Sequence, residues 1–299
     1  LEHQNYFAAI EEAVEGFASK LGCDPVAPEF ESVARRMLAE RNPENVGALE
    51  SATSSLPAAS RRFAFARALA VSALREEIEH IAASAELLTS DAALVRARRA
   101  LQSYAAAALL MPYDRFREAA IACRYDIDTL QYRFGVSLEQ TCHRLASLRR
   151  PGAEGVPFAF MRSDPAGYVT KRFPLPNLPL PRYGGTCPLW AVYRAFQLPE
   201  TVISQLAEFP SGDRFLFVAR ALAKGDSAYG QPRHLQSIML ACEALYADQT
   251  VYGDRLDLSA AAPADRVGAT CRLCARSDCP QRQEDVIIKP PPAGRAAAE

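Results

Sequence analysis

The chain has 299 residues, of which 49% are hydrophobic, and its formal net charge is -1. This length suffices for two domains with separate hydrophobic cores, and such a charge excludes a general attraction of the chain to nucleic acid or anionic lipid. The sequence also lacks an apolar run of about 18 residues, which excludes a membrane-spanning helix, so we expect a cytoplasmic protein.

The first half of the chain carries helical patterns. Between Asn5 and Leu21, apolar residues recur every three or four positions, which is the spacing of a helix with one buried face. Proline at Met111-Pro112 ends the last of these patterns, because its ring removes the donor that another turn requires. We expect residues 1–150 to form an all-helical domain, with further helices over 28–42, 60–90 and 91–110.

Residues 126–150 have the pattern of two helices joined by a tight turn. Gly135 permits the turn, and Ser137 is suited to cap the second helix. Positive charge follows at Arg144, Arg149 and Arg150. The segment is compatible with a DNA-reading helix-turn-helix or with a helix pair packed in the core. Since residues 138–142 present no basic face, the core interpretation is favoured.

The hydrophobic pattern changes after Pro151. Residues 156–162 and 168–173 alternate around a Ser-Asp-Pro-Ala-Gly turn, as in a β-hairpin. Two further strands are predicted after a proline-dense link and a short helix, over 214–220 and 237–242. We therefore expect a smaller domain over residues 151–288, built on a mixed or antiparallel sheet, and a disordered tail over residues 289–299. The predicted fold class is α+β.

Cysteines are concentrated near the end of the chain. Cys271, Cys274 and Cys279 lie within nine residues, a segment with too few apolar residues to fold without a bound centre. Among the other cysteines, Cys187 lies in a Gly-Gly-Thr-Cys-Pro turn, the context that best suits a fourth ligand. The pattern predicts a metal centre.

Two kinds of centre are compatible with these thiols. Zinc accepts four thiolates, but it commonly uses a second short cysteine pair or histidines, and no histidine lies near residues 271–280. A clustered trio with one remote cysteine, and proline directly after two of the four, is more typical of a 4Fe–4S cluster. A disulfide framework is least favoured, since three close thiols leave one unpaired and no secretory signal is present.

Residues 62–71 and 104–112 resemble parts of the ImmA/IrrE domain, a helical relative of zinc metallopeptidases. Active members carry His-Glu-x-x-His in the first stretch, with two ligands one helical turn apart and a glutamate base between them. The matching positions are Arg67, Ala68 and Val71, none of which binds zinc or activates water. The resemblance therefore implies a degenerate peptidase domain without catalytic residues, whose pocket suits an anion or a small ligand.

With the motifs Gly-Thr-Cys-Pro-Leu-Trp and Cys-Arg-Leu-Cys-x4-Cys-Pro, the chain resembles the short-chain fatty acyl-CoA regulators of actinobacteria over nearly its whole length. The resemblance implies a transcription regulator of propionate catabolism rather than an enzyme. Its core would sense a CoA thioester such as propionyl-CoA and form a homo-oligomer such as a dimer. The implied 4Fe–4S cluster, with zinc as its alternative, would bind to Cys187, Cys271, Cys274 and Cys279.

The resemblance also suggests where the ligand binds. Arg67, Tyr104 and Arg124 lie in or beside the matched stretches, and CoA phosphates require cations while its adenine stacks on aromatic rings. Family members usually begin with a helix-turn-helix domain. The chain begins at Leu1 without one, so we expect a piece of a longer protein that contacts promoter DNA through that domain.

Two other classes of function are considered. One is an iron–sulfur or zinc enzyme with redox or metal chemistry, although no nucleophile or acid is evident beside the cysteines. The other is a protein that binds DNA directly through residues 126–150. Binding of CoA esters without turnover would separate the regulator from the enzyme, and a gel shift at moderate salt would detect direct DNA binding.

Overall fold

The computed structural model describes residues 5–41, 43–85, 88–180, 185–225, 229–230 and 234–287. The chain divides into two compact units, Leu1–Gly155 and Val156–Glu299. The first is helical and the second is built on a six-stranded mixed sheet, so the α+β class is confirmed. Across the described part of the chain, no helix is both long and apolar enough to cross a membrane. The tail predicted over 289–299 lies outside the described residues.

Small side chains bring the helices of the first unit close together. The helices found in the described residues of this unit are α1 (Ala8–Ala18), α2 (Phe30–Arg41), α3 (Pro43–Thr53), α4 (Ala58–Ala73), α5 (Arg75–Ser84), α6 (Asp91–Leu110), α7 (Tyr113–Ala122), α8 (Ile127–Phe134) and α9 (Leu138–Ala146). Alanines line the buried face of α4 at Ala66 and Ala70 and that of α6 at Ala105 and Ala106. These two helices pack against each other, with α2 on α4 and α1 on α6.

The prediction of one long helix over residues 60–90 is wrong. The helix is interrupted at Leu74, whose φ of -119° and ψ of 32° are not helical, so α4 ends before this residue and α5 begins after it. Leu74 is buried, with 2% of its surface exposed, so packing rather than a local helix breaker sets this corner. Glu76 and Glu77 occupy the first turn of α5, where negative charge favours a helix start.

The sequence analysis did not predict α3 and α7, because it interpreted prolines only as helix ends. Pro43 is the first residue of α3, and Pro112 is the residue just before α7. Proline suits the start of a helix, since its fixed φ is helical and its missing donor is not needed there. The same residue type therefore ends one helix and begins the next.

The helix pair at residues 126–150 has the predicted turn and cap. Gly135 is left-handed at φ 62° and joins α8 to α9. The Ser137 hydroxyl accepts the Gln140 N–H at 3.3 Å, and the Gln140 side chain accepts the Ser137 N–H at 2.8 Å. This reciprocal capping box satisfies two backbone donors at the start of α9.

The second unit is built on one sheet and a short helix. Its described elements are β1 (Ala159–Ser163), β2 (Val169–Phe173), the short helix α10 (Ala191–Arg194), β3 (Ile203–Glu208), β4 (Arg214–Ala223), β5 (Leu235–Glu243) and β6 (Asp265–Arg266). The strand order is β2-β1-β5-β4-β3-β6. Neighbouring strands are antiparallel, except that β6 lies parallel to β3. The predicted hairpin and both predicted later strands are present, whereas β3 and β6 were not predicted.

Trp190 fills the core on one face of this sheet. It is fully buried, and its ring centroid lies 4.9 Å from that of Phe217 on β4 and 5.9 Å from that of Phe209. Burial of an indole of this size fixes the chain that carries it. Because Cys187 precedes Trp190 by three residues, this core also positions the cysteine loop.

Candidate functional site

Four cysteines from two distant segments of the chain line one cleft in the second unit. Cys187 comes from the turn before α10, and Cys271, Cys274 and Cys279 come from the segment after β6. Cys187 and Cys274 are each only 7% exposed, and the other two are half-buried. The cleft is also lined by Val267 and Gly268 and by the arginines Arg266, Arg276 and Arg282.

Backbone hydrogen bonds hold the Cys187 turn against the C-terminal segment. The Cys187 N–H donates to the Ala269 carbonyl at 2.8 Å, and the Trp190 indole N–H donates to the Gly268 carbonyl at 2.9 Å. The Trp190 amide also donates to the Cys187 carbonyl at 3.1 Å. The buried indole thus fixes both sides of the cleft.

Gln205 on β3 binds both the segment that follows Cys187 and the strand β6 that precedes the C-terminal cysteines. Its side-chain oxygen accepts the Ala191 N–H at 2.7 Å, and its nitrogen donates to the Leu189 carbonyl at 2.9 Å and to Asp265 Oδ2 at 2.8 Å. Gln205 is 3% exposed, so these bonds replace water that cannot reach the amide. Sequence analysis missed this residue, because its strand mixes polar and apolar residues and nothing local marks the glutamine as buried.

Arg276 anchors the cysteine segment to the end of β3. Its Nη2 donates to the Glu208 carbonyl at 2.8 Å, and its Nε donates to the Val267 carbonyl at 3.4 Å. Both carbonyls belong to backbone beside the cleft. The sequence offered a signal in the alternation of arginine with cysteine over residues 271–282, but not the partners of each arginine.

Gly268 leaves the space that the Cys274 sulfur occupies. A methyl group placed at Gly268 would lie 2.8 Å from Cys274 Sγ and 2.9 Å from its Cβ, well inside van der Waals contact. A larger residue at this position would force the Cys274 side chain or the local backbone to shift. The glycine is thus needed for space rather than for an unusual backbone angle.

Burial and the neighbouring cysteines favour the neutral thiol of Cys187 over its thiolate. Burial raises the pKa of Cys187, the N–H groups of Gly268 and Leu189 oppose that rise, and Cys271 and Cys274 add to it. A third backbone donor, the Gln283 N–H, lies 3.5 Å from Cys271 Sγ. A metal would compensate the converging negative charge, and the N–H groups would remain as donors to ligand sulfurs.

The donor set therefore fits a thiolate-bound metal group. Among the described residues, no group of three or more histidine, cysteine, aspartate or glutamate side chains stands in an arrangement that could hold a metal ion. What the described residues show is that the four thiols line one cleft, and the metal centre itself stays a prediction.

The residues predicted to bind acyl-CoA lie on separate elements of the first unit. Arg67 is exposed on α4, and Arg124 is exposed after α7 with a φ of 50°. Tyr104 is partly buried on α6, where its hydroxyl donates to Glu11 Oε1 at 2.5 Å and accepts the Phe7 N–H at 3.3 Å. The acyl-CoA pocket stays a prediction.

Sequence analysis missed a buried ion pair in the first unit. Arg144 on α9 is 1% exposed and Glu11 on α1 is 2% exposed. Arg144 Nη1 donates to Glu11 Oε1 at 2.5 Å, Nη2 donates to Oε2 at 3.0 Å, and Nε donates to the Met111 carbonyl at 2.9 Å. The signal was the position of Glu11, one residue after buried Ile10 on the apolar side of its helix.

This ion pair changes the interpretation of residues 126–150. The positive charge of Arg144 lies inside the unit, because this side chain is buried against the Glu11 carboxylate. Arg150 donates to Asp114 Oδ2 at 2.9 Å and to Glu15 Oε1 at 3.2 Å. Both arginines are neutralised within the unit, which supports the core interpretation of the helix pair over a DNA-reading one.

Comparison with protein families matches both units. Residues 53–146 match the model described as the IrrE N-terminal-like domain. Residues 147–292 match the model described as the short-chain fatty acyl coenzyme A regulator, C-terminal. The second match contains all four cysteines of the cleft.

Several curated relatives are similar in sequence. The propionyl-CoA carboxylase regulator of Cereibacter sphaeroides is 37% identical over 95% of this chain and 63% of its own length. The HTH-type transcriptional regulators PrpR and RamB of Mycobacterium tuberculosis are 39% and 42% identical over 74% and 65% of this chain. The chain covers 46% and 41% of these two proteins, so it spans only part of each relative.

A solved structure has the same fold. A Mycobacterium tuberculosis transcriptional regulator superposes with a TM-score of 0.84 at 30% sequence identity, over 96% of this chain and 92% of that one. The match extends over both units.

Proposed function

The chain belongs to the short-chain fatty acyl-CoA regulator family, and on this premise we propose that it is the ligand-sensing core of a transcription regulator. The ligand is a short-chain acyl-CoA such as propionyl-CoA, and the genes under control serve short-chain fatty acid catabolism. The names of the relatives support this, since one is a propionyl-CoA carboxylase regulator and two are HTH-type transcriptional regulators. Promoter DNA would be bound by a domain outside this chain, in a homo-oligomer.

The chemistry of α4 supports sensing rather than catalysis. Where active peptidases of the related domain carry two histidines and a glutamate, this chain has Val71, Arg67 and Ala68. These side chains can bind an anion or pack against a ligand, but they cannot ligate zinc. The exposed guanidinium groups of Arg67 and Arg124 suit CoA phosphates, and Tyr104 links this region to α1 through Glu11.

The four-cysteine cleft is the observation that supports a metal centre in the second unit. Cys187, Cys271, Cys274 and Cys279 would hold a 4Fe–4S cluster, which when bound supplies a covalent cross-link with one-electron redox chemistry. The protein itself contributes the thiolates, the N–H donors beside Cys187 and Cys271, and arginines that offset negative charge. Zinc in the same cleft is the alternative.

Regulation requires a ligand that distinguishes two states of the protein. A CoA ester that bound both states with equal affinity would not change the equilibrium between them, however tightly it bound. We propose that the acyl-CoA site in the first unit provides this difference, and that the cluster keeps the second unit folded.

Anaerobic purification followed by titration calorimetry tests this function. We expect a brown protein with iron and sulfide in equal amounts, and heat of binding from propionyl-CoA without hydrolysis. Replacement of both Arg67 and Arg124 by alanine should weaken binding, and replacement of exposed Arg75 on α5 provides the matched control. Failure of the wild-type protein to bind any CoA ester would contradict the sensing function. A colourless protein that contains zinc would show that zinc, and not an iron–sulfur cluster, occupies the cleft.

A further inference from the structure

The cysteine segment has little regular structure to satisfy its own backbone. After β6 ends at Arg266, the described residues 267–287 contain no helix or strand. Carbonyl groups in such a segment need other donors, because a polar group withdrawn from water without a partner costs free energy. In this segment, a single side chain provides several of those donors.

That side chain is Arg282. Its Nη1 donates to the Cys271 carbonyl at 3.0 Å and to the Glu284 carbonyl at 3.2 Å. Its Nη2 donates to the Cys274 carbonyl at 3.2 Å and also to the Arg276 carbonyl. One guanidinium therefore joins the backbone at two of the three clustered cysteines to the backbone on either side of Cys279.

The shape of the guanidinium group matters for this arrangement. Its two terminal nitrogens lie in one rigid plane and point to different carbonyls at the same time, whereas a lysine ammonium is a single point donor on a flexible stem. Arg282 is half-buried and lines the cleft with all four thiols. Its positive charge is thus held beside the sulfurs while its hydrogen bonds shape the loop.

We propose that Arg282 is the positioning residue of the metal centre, shaping the loop that presents Cys271, Cys274 and Cys279 before any metal binds. The metal-binding part of this inference rests on the proposed function. The loop-shaping part does not, since the hydrogen bonds of Arg282 are made by the protein alone. Two separate measurements can therefore distinguish failure of this inference from failure of the proposed cluster.

Arg272 offers a matched control in the same loop. Its side chain is 60% exposed and pairs with Glu284 at 2.8 Å, an interaction of the kind that contributes little in water. Lysine at Arg272 preserves this charge pair. Lysine at Arg282 preserves the charge but cannot bridge the carbonyls of Cys271 and Cys274 together.

The experiment compares wild-type, Arg282→Lys and Arg272→Lys proteins. Hydrogen exchange of residues 267–287 is measured first in metal-free protein. Each protein is then reconstituted anaerobically with ferrous iron and sulfide, and the iron content, the visible circular dichroism and the rate of iron loss to a chelator are recorded. For Arg282→Lys we expect faster exchange, an altered visible spectrum and iron loss at least about tenfold faster, since two or more hydrogen bonds are removed.

The outcomes separate the two claims. Exchange of the metal-free loop that is the same in Arg282→Lys and wild type would overturn the role of Arg282, whatever metal binds. Equal acceleration in Arg272→Lys would also overturn it, because any lysine in the loop would then have the same effect. Faster exchange specific to Arg282→Lys, in a wild-type protein that takes up no iron, would support the loop-shaping role while contradicting the proposed cluster.

Discussion

Glu11 and Arg144 show how one residue pair determines whether two helices can dock. Burial by itself would raise the pKa of Glu11, but the charge and hydrogen bonds of Arg144 and the Tyr104 hydroxyl hold it below its usual value. Burial would lower the pKa of Arg144, and Glu11 raises it instead. Each charge is therefore retained in the interior only because the other is present, and the pair joins α1 to α9.

Replacement of Glu11 by glutamine should strongly destabilise the first unit. The change leaves the Arg144 charge buried without an opposite charge, and breaking a buried pair in this way costs about 3–5 kcal/mol. Chemical denaturation followed by far-UV circular dichroism measures the loss. The control is Glu15→Gln, since Glu15 forms an exposed pair with Arg150 and its loss should cost about 1 kcal/mol or less. Equal losses in the two variants would contradict the prediction.

The same pair gives the protein a pH dependence with a defined sign. Because the pKa of Glu11 is lowered on folding, its contribution to the free energy of unfolding is complete above the unfolded pKa of about 4.3. The contribution is lost as the pH falls through the lower folded pKa. Chemical denaturation at a series of pH values should therefore show a flatter acid side of the stability curve for Glu11→Gln than for wild type.

At the scale of elements, the α8–α9 corner depends on one backbone angle. Gly135 has a φ of 62°, and a methyl group added there would lie 2.8 Å from Arg62 Nη1. The side chain of Arg62 can move, so the backbone strain is the larger effect. Gly135→Ala should cost about 1–2 kcal/mol. Gly47 on α3 has open space around it, and Gly47→Ala should instead stabilise by up to about 1 kcal/mol.

Thermal unfolding of the two glycine variants measures this contrast. A melting temperature that falls for Gly135→Ala and is unchanged or rises for Gly47→Ala would agree with the prediction. If Gly135→Ala were as stable as wild type, the left-handed turn would not be what separates α8 from α9.

The elements that the sequence predicted well carry their signals locally. Ser137 and Gln140 are close in sequence and also close in the structure, and the continuous apolar runs of β4 and β5 are properties of single segments. The break at Leu74 has no such signal, because it depends on what the neighbouring helices pack against. The strand β6 is two residues long, too short to show an alternating pattern.

At the scale of the whole molecule, the candidate site was also predictable only where its signals are local in sequence. The residue types of Cys187 and the C-terminal trio indicated a metal site, since thiols in a turn and thiols in a cluster are informative by themselves. The supports of the cleft were not predictable in this way. Gln205, Arg276 and Arg282 act on backbone groups, and only the folded chain determines which carbonyl lies near each side chain.

A cluster on these cysteines would join segments that are far apart in sequence within the second unit. Closing a loop of roughly a hundred residues by a covalent link contributes about 4–5 kcal/mol in the chain-entropy model. Cys274→Ser should therefore abolish iron uptake and destabilise the unit Val156–Glu299 by an amount of this order. Since every residue that lines the cleft belongs to that unit, the loss should leave the stability of the first unit nearly unchanged.

Hydrogen exchange of the whole chain, with and without iron and sulfide, locates the effect of that substitution. We expect faster exchange in peptides from the described residues after Val156 and little change in peptides from α1 to α9. Cys242→Ala is the control, because Cys242 is buried on β5 outside the cleft. That variant should lose stability to the same extent with and without the cluster, and it should bind the wild-type amount of iron.

Equal stability of the metal-loaded and the metal-free wild-type protein would contradict the prediction. The centre would then not cross-link the fold, and redox chemistry would remain as its role.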